Sequence, residues 1–149
     1  MSDRVASVVT IGTPHLGTPI ADLGAKLSDV LRMKALLGRV IDLDAFYDLT
    51  TTRMERFNGE VGDAPGVFYG SVVARIARPR ANPLLWPTHL YLSERAGDND
   101  GMVPSASQSW GEVLRQIEAD HWAQIGWSPD FDALALYEEI LRELRGRGF

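Results

Sequence analysis

Two periods alternate in the apolar positions of this chain. Val5–Ile11 is an unbroken run of β-branched and small apolar residues halted by Gly12-Thr13-Pro14, the pattern of a strand buried on both faces inside a parallel sheet. From Ile20 to Leu43 the spacing turns helical, with Ile20, Leu23, Leu27 and Leu31, then Leu36, Leu37 and Val40 after a short break. Two helices joined near Leu31–Met33 are predicted. Thr50–Thr52 offers a cap for a third helix through Met54 and Phe57, with Asn58-Gly59 as its stop. Gly66–Ile76 returns to strand composition through Val67, Phe68, Tyr69, Val72 and Val73.

The Pro-rich stretch Arg78–Pro87 breaks regular structure, and the short amphipathic piece His89–Glu94 after it reads as a cap or loop. Gly97–Gly101 reads as a tight turn, because Asp, Asn and Gly tolerate left-handed backbone and bond their own main chain. Val113–Ala119 offers a third short strand. In the last element Ser128 and Pro129 look like a cap and first helical residue, and Phe131, Leu134, Tyr137, Ile140, Leu141 and Leu144 fall on one face. Strand, helices, strand, loop, strand, helix is the alternation of an α/β protein with a short, mostly parallel sheet and helices on its faces. No internal repeat interrupts it.

Composition narrows the functional classes. With 149 residues the chain suits one domain and one core over its whole length. Hydrophobic residues make up 45% and charged residues 23%, and no apolar run approaches the ~20 residues that cross a bilayer. Five net negative charges and a pI near 5.1 argue against nucleic acid, whose binders carry a basic stripe. Small molecules or other protein chains are the expected partners. Without cysteine there is no disulfide and no thiolate. The Met1 end shows no basic-then-apolar signal pattern, so the cytoplasm is the default compartment.

Three strings sit where parallel sheets bind ligands, beyond the carboxyl ends of the strands: Gly12–Pro19 (GTPHLGTP), Gly97–Pro104 (GDNDGMVP) and Asp120-His121. Aspartate then histidine after a strand is the order of acid and base in α/β-hydrolases. The strings RVASVVTIGTPHLGTPIADL at 4–23, GDNDGMVP followed by Trp110-Gly111, and DHWAQIG at 120–126 resemble the second half of bacterial triacylglycerol lipases and esterases of the α/β-hydrolase kind. In that family the last Asp of the turn orients the catalytic His, so the resemblance assigns Asp100 and His121 to those roles. It implies a truncated α/β-hydrolase-like domain over residues 1–149 and an ester substrate.

The departures from the family are as informative. A strand ending in G-x-S-x-G precedes the TPH segment in those lipases, and no serine here is so flanked: Ser71 lies in Tyr-Gly-Ser-Val-Val, while Ser105, Ser107 and Ser109 follow the Asp turn. Some relatives hold calcium with an Asp two residues beyond the His, where this chain has Ala123. Acyl transfer by an Asp–His pair needs a hydroxyl on the imidazole. Three readings remain: a non-catalytic lipase fragment or binding module, a serine-esterase-like enzyme, and a hydrolase whose nucleophile is metal-bound water. The last is the working expectation, a small metal-assisted hydrolase of activated carboxylic or phosphoric esters, since metal-bound water reaches a pKa near ~7. Its candidate ligands are His15, Asp98, Asp100 and His121, with zinc the expected ion. His15 is equally open to shaping its own turn. His89 is expected to be structural, and Ser107 and Trp110 to pack and turn the chain.

In the intact family fold the strand matching Val5–Ile11 has the nucleophile strand as a neighbour. Without it, an unpaired row of main-chain groups is expected at the sheet edge. Exposed edges recruit other chains, so a homodimer or dimer of dimers is expected.

Overall fold

The computed structural model describes residues 4–32 and 44–149. Three strands form one parallel sheet in the order β1-β2-β3: β1 (Ser7–Ile11), β2 (Phe68–Arg75) and β3 (Glu112–Glu118). Between β1 and β2 lie α1 (Pro19–Arg32), α2 (Asp44–Asp48) and α3 (Thr51–Glu60). Two 3-10 turns, Arg78–Arg80 and Pro83–Leu85, then α4 (Trp86–Ala96) and the single turn α5 (Ser105–Gln108) join β2 to β3. A 3-10 turn, Ala123–Ile125, leads to the closing helix α6 (Ala133–Gly146).

Register decides which side chains share a face. Val9 pairs with Gly70 and Ile11 with Val72, so these residues point to one side, where α6 packs through Leu136, Ile140, Tyr137 and Leu144. Val8, Thr10 and Tyr69 point to the other side. Between β2 and β3 the register slips after the Ser71–Val113 pair, so that Val72 faces Arg115 and Ile117 joins the α6 side of the core.

Burial falls on a different strand from the one the pattern selects. Residues Gly70–Ala74 of the central strand β2 are buried, whereas β1 is only half-buried and Val8 is 36% exposed. Among the described residues β1 pairs with β2 alone, and a strand with one neighbour keeps one main-chain edge and its flanking side chains open. The expectation of two covered faces for Val5–Ile11 is corrected accordingly.

The helices also depart from the pattern in specific ways. α4 forms where a loop is expected, because Pro87 falls in its first turn, where a missing N–H breaks no hydrogen bond. α6 starts at Ala133, with Asp132 as cap accepting from the Ala135 N–H at 2.9 Å. Ser128 and Pro129 stand outside it. Its core stripe is Ala133, Leu136 and Ile140, while Leu134 and Leu141 are 69% and 55% exposed; at 100° per residue, 133, 136, 140 and 144 make one line that 134 and 141 miss. α3 runs to Glu60, past the expected Asn58-Gly59 stop. The first helix of the Ile20–Leu43 pair is α1, and the second, through Leu36, Leu37 and Val40, lies outside the described residues.

Candidate active site

Asp100 and His121 meet beyond the carboxyl ends of β2 and β3. The turn carrying Asp100 is built by its neighbours: Asn99, 1% exposed, donates to the carbonyls of Gly97 (2.9 Å) and His89 (3.4 Å) and to Ser93 Oγ (3.1 Å), and its Oδ1 accepts from the Gly101 N–H at 2.9 Å. Gly101 takes a φ of +96°, left-handed backbone that favours glycine. This Asx-type turn points the Asp100 carboxylate inward, where it is fully buried.

Four donors surround that carboxylate. Oδ1 accepts from the main-chain N–H groups of Met102 (2.9 Å) and Val103 (2.7 Å). Oδ2 accepts from His121 Nδ1 at 2.8 Å and from the Gln124 amide at 2.9 Å. Each of these N–H groups points a partial positive charge at the carboxylate and offsets part of the cost of burying it. His121 is half-buried, and burial works against its charge, but its hydrogen bond to Asp100 and the charges of Asp100 and Asp120 outweigh this and raise the imidazole above its ordinary value. With Nδ1–H fixed on Asp100, the free base is Nε2.

The remaining candidates lie apart from this pair. Asp98 is exposed and bonded to Arg75 at 2.7 Å. The His15 ring bonds Thr10 Oγ1 through Nε2 at 2.9 Å and stacks on Trp110 with centroids 5.3 Å apart. It lines a cavity of about 230 Å³ with Val8, Thr10, Tyr69 and Trp110 on the sheet face opposite α6. Burial lowers its pKa against the pull of Asp63. Among the described residues no group of three or more His, Asp or Glu is arranged to hold a metal ion. The expected four-ligand set is corrected on that point: Asp100 and His121 come together, His15 and Asp98 do not join them. Asp100 has no oxygen left without a donor, so the residues present do not fit a zinc site.

The hydroxyls of Ser71, Ser105 and Ser107 are engaged elsewhere. Ser71 Oγ, fully buried, accepts from the Trp110 N–H at 3.1 Å; Ser105 Oγ donates to the Ala74 carbonyl at 3.0 Å; Ser107 Oγ donates to the Gly17 carbonyl at 2.6 Å and accepts from the Leu16 N–H at 3.1 Å. Ser107 thus ties the Gly12–Pro19 loop to α5, and Trp110 packs on His15, both as expected. His89 is structural too: Nε2 meets the Ile76 carbonyl at 2.7 Å. Two glutamines escaped sequence reasoning. Gln108, fully buried, accepts from the Ala74 N–H and donates to the Ala74 and Val103 carbonyls, pinning the Asp100 turn to β2. Gln124 contacts Asp100 directly; its signal was a lone amide within the Trp122–Ile125 stretch of the histidine string.

A parallel sheet bearing an Asp–His pair past its strand ends defines part of an α/β-hydrolase fold. No family model matches the sequence. The chain is 30% identical to triacylglycerol lipase 2 of Saccharomyces cerevisiae over an alignment of 164 residues, covering 97% of this chain and 50% of that lipase. Among solved structures, a metagenomic carboxyl esterase shares the fold with a TM-score of 0.82 at 22% identity, covering 98% of this chain and 49% of the esterase. The mature lipase BlEst2 of Bacillus licheniformis has a TM-score of 0.62 at 26% identity, covering 81% of this chain and 49% of the lipase. The chain is therefore similar to one half of lipases and esterases, and spans about half the length of the relatives it matches.

Proposed function

We propose that the protein is a hydrolase of activated carboxylic esters in which Asp100 and His121 form the acid–base pair. The observation that carries this is the 2.8 Å contact between His121 Nδ1 and a fully buried Asp100 carboxylate. In the reaction His121 Nε2 takes a proton from an attacking water as the water oxygen bonds the ester carbonyl carbon. Collapse of the tetrahedral intermediate breaks the bond to the alkoxy oxygen, and the imidazolium returns the proton to the departing alcohol. Asp100 keeps the ring in one tautomer and stabilises its cationic form. The lipase and esterase relatives favour carboxylic over phosphoric esters. The same loop exposes Ile125 and Trp127, apolar surface suited to an acyl or aryl group.

Hydrolysis of p-nitrophenyl acetate by the full chain, by Asp100→Asn and by His121→Ala, each with and without EDTA, tests the proposal. Turnover that resists EDTA and falls in both variants supports it. Loss of wild-type turnover on chelation would transfer the chemistry to the metal-assisted route. Equal rates in wild type and His121→Ala, or no turnover in any of them, would overturn it in favour of a binding or assembly module.

A further inference from the structure

Gln124 sits in the 3-10 turn Ala123–Ile125, three residues beyond His121, and is 3% exposed. Its Nε2 donates to Asp100 Oδ2 at 2.9 Å, the oxygen that His121 Nδ1 also bonds, and reaches the Asp120 carbonyl at 3.4 Å. The other end of the amide is unsatisfied: Oε1 is buried and has no hydrogen-bond partner among the described residues. An orphaned buried acceptor is destabilising, and an apolar side chain of similar size would avoid it. The feature that offsets it is the N–H donated to Asp100. The reverse amide orientation would set Oε1 against a carboxylate oxygen, so this hydrogen bond fixes which way the amide points.

The residue is held at two points. The Gln124 main-chain carbonyl accepts from the Tyr137 hydroxyl on α6, and the side-chain Oε1 packs against Gly12 just after β1, where a Cβ would lie 2.2 Å away. Gly12 takes a φ of +58°, so the GTPHLG loop presents bare backbone where the amide needs room. The three strings that carry the family likeness thus meet at one amide.

We infer that Gln124 is a positioning residue of the hydrolytic site, holding the Asp100 carboxylate in line with His121 and drawing part of its charge away from the imidazole. The inference rests on the reading of Asp100 and His121 as the acid–base pair. Removing the amide leaves Oδ2 with His121 as its only side-chain donor, which strengthens the carboxylate as an acceptor and favours the imidazolium. It also removes one of the two donors that fix the position of Oδ2, while Oδ1 stays held by the Met102 and Val103 N–H groups. The other charge facing His121 is Asp120, whose carboxylate is held by the N–H groups of Asn82 and Ala123, each at 2.8 Å. That pairing does not involve Gln124.

The experiment is an NMR titration of His121 in the full-length chain, run beside p-nitrophenyl acetate hydrolysis, for wild type, Gln124→Leu and Gln124→Glu. Gln124→Leu moves the His121 midpoint upward and lowers turnover about 10-fold, the scale of one hydrogen bond to a charged group. Gln124→Glu puts a carboxyl beside Asp100, where burial and the neighbouring charge keep it protonated; its O–H restores a donor and returns the midpoint toward wild type. Tyr137→Phe, which releases only the main-chain anchor, shifts the midpoint in the same upward direction and serves if Gln124→Leu fails to fold. An unmoved midpoint in a folded Gln124→Leu or, in its absence, in Tyr137→Phe overturns the inference. A shifted midpoint with no ester turnover in any protein upholds the link from Gln124 to the pair and removes the hydrolytic reading instead.

Discussion

His121 is tied to Asp100 twice, through its ring and through its backbone: Nδ1 meets Oδ2 at 2.8 Å, and the His121 N–H donates to the Asp100 carbonyl at 2.8 Å. The main-chain bond joins the loop after β3 to the loop after β2, so the imidazole arrives at the carboxylate already oriented. Asp100→Asn replaces an acceptor with an amide that faces two donors, His121 Nδ1–H and the Gln124 amide. The imidazole then changes tautomer to find a partner. Ester turnover is expected to fall by about three to four orders of magnitude, as when the acid of a Ser-His-Asp triad is amidated. Denaturant melts should show a loss of about 1–3 kcal/mol. Near-wild-type turnover would remove Asp100 from the mechanism.

The two shifted histidines bend the stability curve in opposite senses. His121 is raised in the folded state, so its contribution to stability is complete below the unfolded-state value and is lost as pH rises through the higher folded value. His15 is lowered by burial, so its contribution is present above the unfolded-state value and is lost as pH falls through the lower folded one. Urea melts across the pH range should therefore show His121→Gln losing most stability on the acid side and His15→Gln on the alkaline side. Parallel curves for the two variants would mean that neither ring senses its neighbours as described.

Much of the site was legible in the sequence and part of the fold was not, for physical reasons. Asp100 and His121 could be placed because each sits in a short string, beyond a strand end, that resembles one in the lipases. The four metal-ligand candidates do not converge among the described residues, because strand-end position says nothing about which way a loop side chain turns: Asp98 faces Arg75 and His15 faces Thr10 and Trp110. The apolar run Val5–Ile11 matches an interior strand, while burial depends on neighbours that a one-dimensional pattern does not contain. Gln124 was invisible for the same reason: a single amide has no period.

Gly12 carries a constraint that its place in a turn understates. A side chain at residue 12 meets both a left-handed φ of +58° and the side-chain amide oxygen Oε1 of Gln124 at 2.2 Å. Gly12→Ala should lose about 1–3 kcal/mol from backbone strain alone. It should also push the amide off Asp100, so the His121 midpoint moves upward as in Gln124→Leu. A destabilised Gly12→Ala with an unmoved midpoint would confine the glycine to a turn-forming role.

The orientation of α6 is open to a paired measurement. Ile140 packs with Val72 and Leu136 in the core, whereas Leu134 is mostly exposed. Ile140→Ala should lose about 2–5 kcal/mol in denaturant melts, the range for emptying a core site. Leu134→Ala should stay within about 0.5 kcal/mol of wild type. Comparable losses would restore the face that the apolar spacing suggests and rotate α6 on the sheet.

The open edge of β1 leads to an assembly expectation. Among the described residues β1 pairs with β2 alone, so its outer side presents main-chain N–H and C=O groups without a ladder. Apolar side chains accompany it on the strand segment, where Val5 and Val8 are exposed. Unpaired strand edges template pairing with another chain, and a two-fold axis is the commonest way for identical chains to close such a contact. A homodimer or a dimer of dimers at micromolar concentration is the expected state, read by sedimentation velocity. Val8→Lys places a charge on the exposed edge, a device that blocks edge pairing, and should shift the distribution toward monomer. Val8 points away from α6 and is outside the core it covers, so the variant should keep its helical signal. A wild-type protein that sediments as a monomer at every concentration tested would show that this edge recruits no second copy.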